Sequence, residues 1–166
     1  MNSRKVSKII TPAEALAKLR NWCAYQERSQ HDARKKLLGM GLDEENREAI
    51  IAQLIAENYI NEQRFAGAFA GGKTRIKSWG RQKIKRELAI HKVPEGIIKE
   101  TLSGINEEDY SERLKKLISK KLVNKEGTDR RKLFASVYRY MVSKGYESEL
   151  IIKELNSQLG DIEHES

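Results

Sequence analysis

The sequence predicts an all-α protein: three tandem three-helix repeats forming an elongated, curved array. Apolar residues recur at spacings of three and four, and no segment sustains the period-two alternation of a half-buried strand. Cap and stop residues cut the chain into about nine helical segments. One pattern then occurs three times: a basic helix ending on an apolar residue, a second apolar residue five positions on, and a helix rich in Ile and Leu.

Thr11-Pro12-Ala13-Glu14 is a capping box with proline at the first helical position, so a helix is expected over 12–27 with Leu16, Leu19 and Cys23 as its apolar stripe. Ser29 with Asp32, Asp43, Asn61, Asn106 with Asp109, and Thr128 are the other N-terminal signals, and Pro94 marks one more start. Stops are expected at Gly39 and Gly41, Gly71 and Gly72, Gly104, Gly127, Gly145 and Gly160. Between these marks lie stripes at Ile50, Ile51, Leu54 and Ile55; Ile84 and Leu88; Leu114, Leu117, Ile118 and Leu122; Leu133, Val137, Tyr140 and Met141; and Leu150, Ile151 and Leu155.

The repeat shows in the links. Leu37 precedes Leu42, Leu88 precedes Val93, and Met141 precedes Tyr146 by the same interval. Nine positions separate Val93 from Leu102, and nine separate Tyr146 from Leu155; the first copy carries three extra residues before Leu54. Further helices, over 61–75 and 106–123, precede the later copies. The expected organisation is a flexible tail over 1–10, repeats over 11–58, 59–105 and 106–158, and a flexible tail over 159–166. Units this short bury little alone and must stack on their neighbours. A thin array also suits a chain with 34% charged and 7% aromatic residues.

The net charge of +8 favours a polyanionic partner, and its distribution sharpens that. Between Lys73 and Lys92 there are eight bases and one acid; between Arg113 and Lys132 there are nine bases and two acids. From Asp43 to Glu62 the sign reverses, with six acids against Arg47. A solvated helix face is the plain reading of a charge run; two like windows at matching places in a repeat favour a surface for phosphates or for an acidic protein groove. Trp79, inside the first window, suits core or inter-repeat packing, with stacking on a base as the rival use. Phe65, Phe69 and Phe134 read as core, and Tyr59 and Tyr146 as contacts between units.

Signals for catalysis are poor. Cys23 reads as a small buried hydrophobe, and a lone cysteine fits a reducing, cytoplasmic setting. His91 lies at a helix end among lysines with no acid beside it in sequence, and His164 falls in the tail. Gly67, Gly72, Lys73 and Thr74 formally match a phosphate-binding loop, but that loop needs a strand before it, and Phe65 to Ala70 reads as helix. No metal, cofactor, membrane span or signal peptide is expected.

At Asn58-Tyr59-Ile60-Asn61-Glu62-Gln63-Arg64-Phe65-Ala66, continuing through Lys73, Trp79-Gly80, Lys83-Ile84 and Glu87-Leu88, the sequence resembles the RecX regulatory family. Lys144-Gly145-Tyr146 with Ile151 and Leu155 resembles its last repeat, and Leu37 to Leu42 its first. Asn61 stands where the family commonly has an acidic residue, and Asn caps equally well. The resemblance implies a non-enzymatic regulator, a monomer, that lies in the groove of the RecA recombinase filament, has affinity for single- or double-stranded DNA, and restrains recombinase and co-protease activity. A DNA-binding helical-repeat module acting alone is the rival. The residues expected to contact filament or DNA are Arg64, Lys73, Lys77, Trp79, Arg81, Lys83, Arg86, Lys115, Lys116, Arg130 and Arg131.

Overall fold

The computed structural model describes residues 9–160, which form nine α-helices and no strand. They are α1 (Pro12–Tyr25), α2 (Gln30–Gly39), α3 (Glu44–Ala56), α4 (Glu62–Lys77), α5 (Arg81–Ile90), α6 (Glu95–Ser103), α7 (Glu107–Leu122), α8 (Arg130–Lys144) and α9 (Ser148–Leu159). Residues 1–8 and 161–166, including His164, lie outside the described residues. No helix of the described chain is long and apolar enough to cross a membrane.

The caps form as short-range chemistry dictates. The Thr11 hydroxyl accepts from the Glu14 amide at 3.2 Å while the Glu14 carboxylate accepts from the Thr11 amide. Ser29, Asp43, Asn61 and Asn106 each accept an amide three residues on. Three expectations fail, the first at Gly127, since α7 already ends at Leu122 with Val123 as its C-cap. Asp129, not Thr128, caps α8, accepting from the Arg131 amide at 2.9 Å; a carboxylate adds charge–dipole attraction at a helix N-terminus. Gly71 and Gly72 end nothing, because α4 runs through both to Lys77 and stops at left-handed Ser78. A mid-helix glycine costs about 1 kcal/mol, less than the burial of Phe65, Ala66 and Ala70 along the same helix gives back.

The three repeat links share buried ends and one left-handed turn. Leu37 and Leu42, Leu88 and Val93, and Met141 and Tyr146 are all buried. The residue before the second member of each pair turns left-handed: Gly41 at φ 79°, Lys92 at φ 57° and Gly145 at φ 97°. In the second and third copies the amide of the last residue reaches back to the first, Val93 to Leu88 at 3.1 Å and Tyr146 to Met141 at 3.2 Å, which closes the helix. Lys92 makes this turn with a Cβ, at a cost of about 1 kcal/mol that glycine avoids.

Three separate cores result. The first gathers Leu19, Cys23, Leu37, Ile51 and Leu54, and also takes in Ile60 and the half-buried Tyr59. The second is built on Phe65, Ala70, Ile84, Leu88 and Ile98, the third on Tyr110, Ile118, Met141, Ile151 and Leu155. Ile105 packs against the second and third together.

The two junctions differ in kind. Units one and two meet through side chains: Arg64 Nε donates to Glu27 at 2.9 Å, the Gln30 amide donates to Glu62 at 2.6 Å, and His91 Nδ1 lies 3.0 Å from both Asp32 oxygens. Units two and three meet backbone to backbone. Helix α5 has no side-chain cap; its Gly80 and Gln82 amides donate to the Lys144 and Gly145 carbonyls at 2.8 and 2.9 Å, so the end of α8 caps the start of α5. A Cβ on Gly80 would overlap the Gly145 and Tyr146 backbone, and one on Gly145 would overlap Lys83. Tyr146 Oη donates to the Ser78 carbonyl at 3.0 Å, and Tyr110 Oη accepts from the Arg81 amide at 3.1 Å while donating to Glu147 at 2.8 Å.

Burial raises both phenols, Tyr146 up to about 12 and Tyr110 further. An unfolded tyrosine ionises near pH 10, so above that pH the unfolded chain sheds protons that the folded one keeps. Stability is therefore intact below pH 10 and falls as pH rises through 10 to 12. Thermal midpoints measured across that window check this: Tyr146→Phe should flatten the decline.

Candidate functional site

The basic window of 73–92 occupies the end of α4, the Ser78–Gly80 link and α5, and its centre is Trp79. The indole is half-buried against the second core, and Phe69 meets it edge-on at 6.2 Å. Two ammonium groups stand over it, Lys73 at 4.8 Å and Lys83 at 4.4 Å from the ring. Trp79 is thus both packing residue and platform: its edge is in the core and its ring is framed by cations.

Beside this platform a cleft of about 420 Å³ opens between units one and two. Lys73, Lys77 and Arg28 bring positive charge to it against Glu27 and Asp32, and Phe65, Phe69 and Ile76 give it an apolar lining. Ile76, the last residue but one of α4, is 80% exposed. Arg28 lies 4.3 Å over the Trp22 ring, and its Nε is buried without a hydrogen-bond partner among the described residues. On the other side of the platform Ser78 borders a shallow depression shared with Arg113, Lys116 and Lys120 of α7. Bases therefore outnumber acids in the cleft and in the depression on the third unit, where Asp109 and Glu112 also line the wall.

The expected contact residues divide. Lys73, Lys77, Trp79 and Lys83 come together. Arg86 is exposed one turn beyond Lys83, with no partner among the described residues. Lys116 sits at the α7 depression and pairs with Glu112 at 2.9 Å; Lys115 is exposed beside it, its carbonyl accepting from Gln158. Arg130 and Arg131 are exposed at the start of α8, and Arg130 reaches the Gly160 carbonyl at 3.4 Å. Two arginines are struts. Arg64 spends its guanidinium on Glu27 and on the Asn58 side chain and carbonyl. Arg81, 17% exposed, lies 3.9 Å over the Tyr110 ring and pairs with Glu107 and Glu147. Their acidic partners lie 26 to 66 positions away in sequence, so the local sequence gave no sign of them.

Three residues that the linear reading underrates matter here. Arg28 and Ile76 lie outside or at odds with the charge pattern. His91 does have an acid beside it, Asp32, brought by the fold from 59 positions away. The Gly67–Thr74 segment lies wholly within α4, and the buried Thr74 hydroxyl donates to the Gly71 carbonyl at 3.0 Å. Its amides are held in the helix, so the phosphate-loop resemblance is formal. No cluster of three or more metal-ligating side chains occurs among the described residues.

Comparison with known proteins fits this architecture. Residues 61–102 match the second three-helix domain of RecX, and residues 107–153 match the third. A regulatory protein RecX of Clostridium botulinum is 30% identical over 97% of this chain and 79% of its own. The chain belongs to the RecX family. A RecX of Clostridium perfringens is 33% identical over 72% of this chain, which spans 57% of that relative's length. The RecX of Prosthecochloris aestuarii, 27% identical, aligns over 88% of this chain and 94% of its own. The crystal structure of RecX from Lactobacillus salivarius superposes with a TM-score of 0.79 over 88% of this chain and 95% of that one, at 18% identity, and so shares the fold. These relatives are regulatory proteins by name.

Proposed function

We propose that this RecX-family chain binds the RecA recombinase filament and restrains its recombinase and co-protease activities in DNA repair, as a cytoplasmic monomer without cofactor. The observation that carries the reading is the Trp79 platform: Lys73 and Lys83 frame the ring, Lys77 and Arg28 lie in the adjoining cleft, and none of the four is in an ion pair with an acid among the described residues. Such a surface suits a negatively charged, partly apolar target. The bases at the α7 depression let one molecule span more than one filament subunit, and bridging subunits blocks an incoming duplex or the growing end.

A framed tryptophan also suits stacking on unpaired bases, which favours the second reading, a DNA-binding module acting alone. Strand exchange by the host recombinase, titrated with this protein, tests the first. Inhibition at ratios well below one per recombinase subunit is the expected result. Unaltered strand exchange, together with tight binding to bare DNA near physiological salt, would transfer the function to the second.

A further inference from the structure

On unit two, apart from the Trp79 platform, α5 and α6 diverge around a groove of about 850 Å³. Val93, Ile98 and Leu102 supply its apolar floor, and Lys85, Lys92 and Lys99 stand around it. Glu95 is the one acid at its edge. The three lysines have no ion pair among the described residues.

Lys92 is the telling residue. It occupies the left-handed position of the repeat link, where the other two copies have Gly41 and Gly145. Gly41 has open space around its Cβ position, so the first copy uses glycine for backbone freedom alone. The second copy accepts a strained backbone and places a lysine at the lip of an apolar groove. A strained residue retained where its counterparts are relaxed points to a use for its side chain.

We propose that the α5–α6 groove docks an acidic peptide segment with apolar anchors, presented as a short amphipathic helix. Charge complementarity selects the acidic partner, and the apolar floor sets it apart from a phosphate backbone, which has no apolar group to bury there. The described chain has no strand edge to extend, so recognition works through side chains in a groove. The site stands independently of the filament reading, because it needs no residue of the platform.

The test is fluorescence anisotropy with a labelled helical peptide carrying leucines on one face and glutamates on the other. It is read on the full chain and on the Lys92→Gly/Lys99→Gln double variant. Removing two rim charges should weaken binding about tenfold or more, while Lys92→Gly leaves the thermal midpoint unchanged or raised. A serine-for-leucine peptide and a lysine-for-glutamate peptide should both fail to bind. Equal affinity of the Leu/Glu peptide for variant and parent would overturn the proposal. So would a double variant that loses affinity for a single-stranded oligonucleotide but not for the peptide, since the groove would then serve nucleic acid.

Discussion

Gly80→Ala is expected to lower stability by about 3 kcal/mol, making it among the most damaging single-methyl changes in the chain. The new Cβ would overlap the Gly145 and Tyr146 backbone, which has no rotamer to give way. Overpacking of this kind costs about 1–3 kcal/mol. Moving the chains apart also strains the amide bonds from Gly80 and Gln82 to the end of α8, and a buried amide left unpaired costs about 1–3 kcal/mol more. For a chain of this size the thermal midpoint should drop by about 6–12 °C. Gly72→Ala is the control: it lies inside α4 with open space at its Cβ position, and should gain about 1 kcal/mol. Calorimetry of the two variants beside the parent decides it, and a Gly80→Ala midpoint equal to the parent's would refute the backbone account of this junction.

Lys73→Glu combined with Lys83→Glu is expected to weaken binding to the polyanionic target by about 100-fold at low salt. Each lysine that meets a phosphate contributes about 0.9 to the slope of log affinity against log salt, so the double variant should bind with a slope shallower by about 2. Reversal also places like charge against the target, which adds to the loss. Arg130→Glu with Arg131→Glu makes the same change in net charge at the start of α8, away from Trp79, and should cost much less. Binding isotherms at several salt concentrations give both quantities. Equal losses from the two pairs would mean that net charge, rather than the framed tryptophan, governs binding.

What the sequence disclosed was local. Caps act over three residues, so Ser29, Asn61 and Asn106 could be read from their neighbours. The five-residue links were legible because both ends must be buried in every copy. Glycine misled at Gly71 and Gly72, since its helix-breaking tendency is small beside the burial of one helix face. The charge run misled at Arg81, and the expectation of a contact failed likewise at Arg64; the acids that hold both come from other units. One usable sign was missed. Helix α5 opens on Gly80-Arg81-Gln82-Lys83, with no capping side chain and no acid in its first turn. A helix start so poorly provided needs donors satisfied from elsewhere, and here the end of α8 does it.

The contrast between the two junctions reaches into how the molecule answers to its medium. Mobile ions shield the Arg64–Glu27 pair of the first joint and the Arg81–Glu107 and Arg81–Glu147 pairs of the second, but find nothing to shield where one peptide chain rests on another at Gly80 and Gly145. Rising electrolyte thus weakens the ion pairs of both joints and leaves the peptide contact of the second in place. The second joint therefore keeps an attachment that electrolyte does not reach, and the cleft beside Trp79 opens at the first.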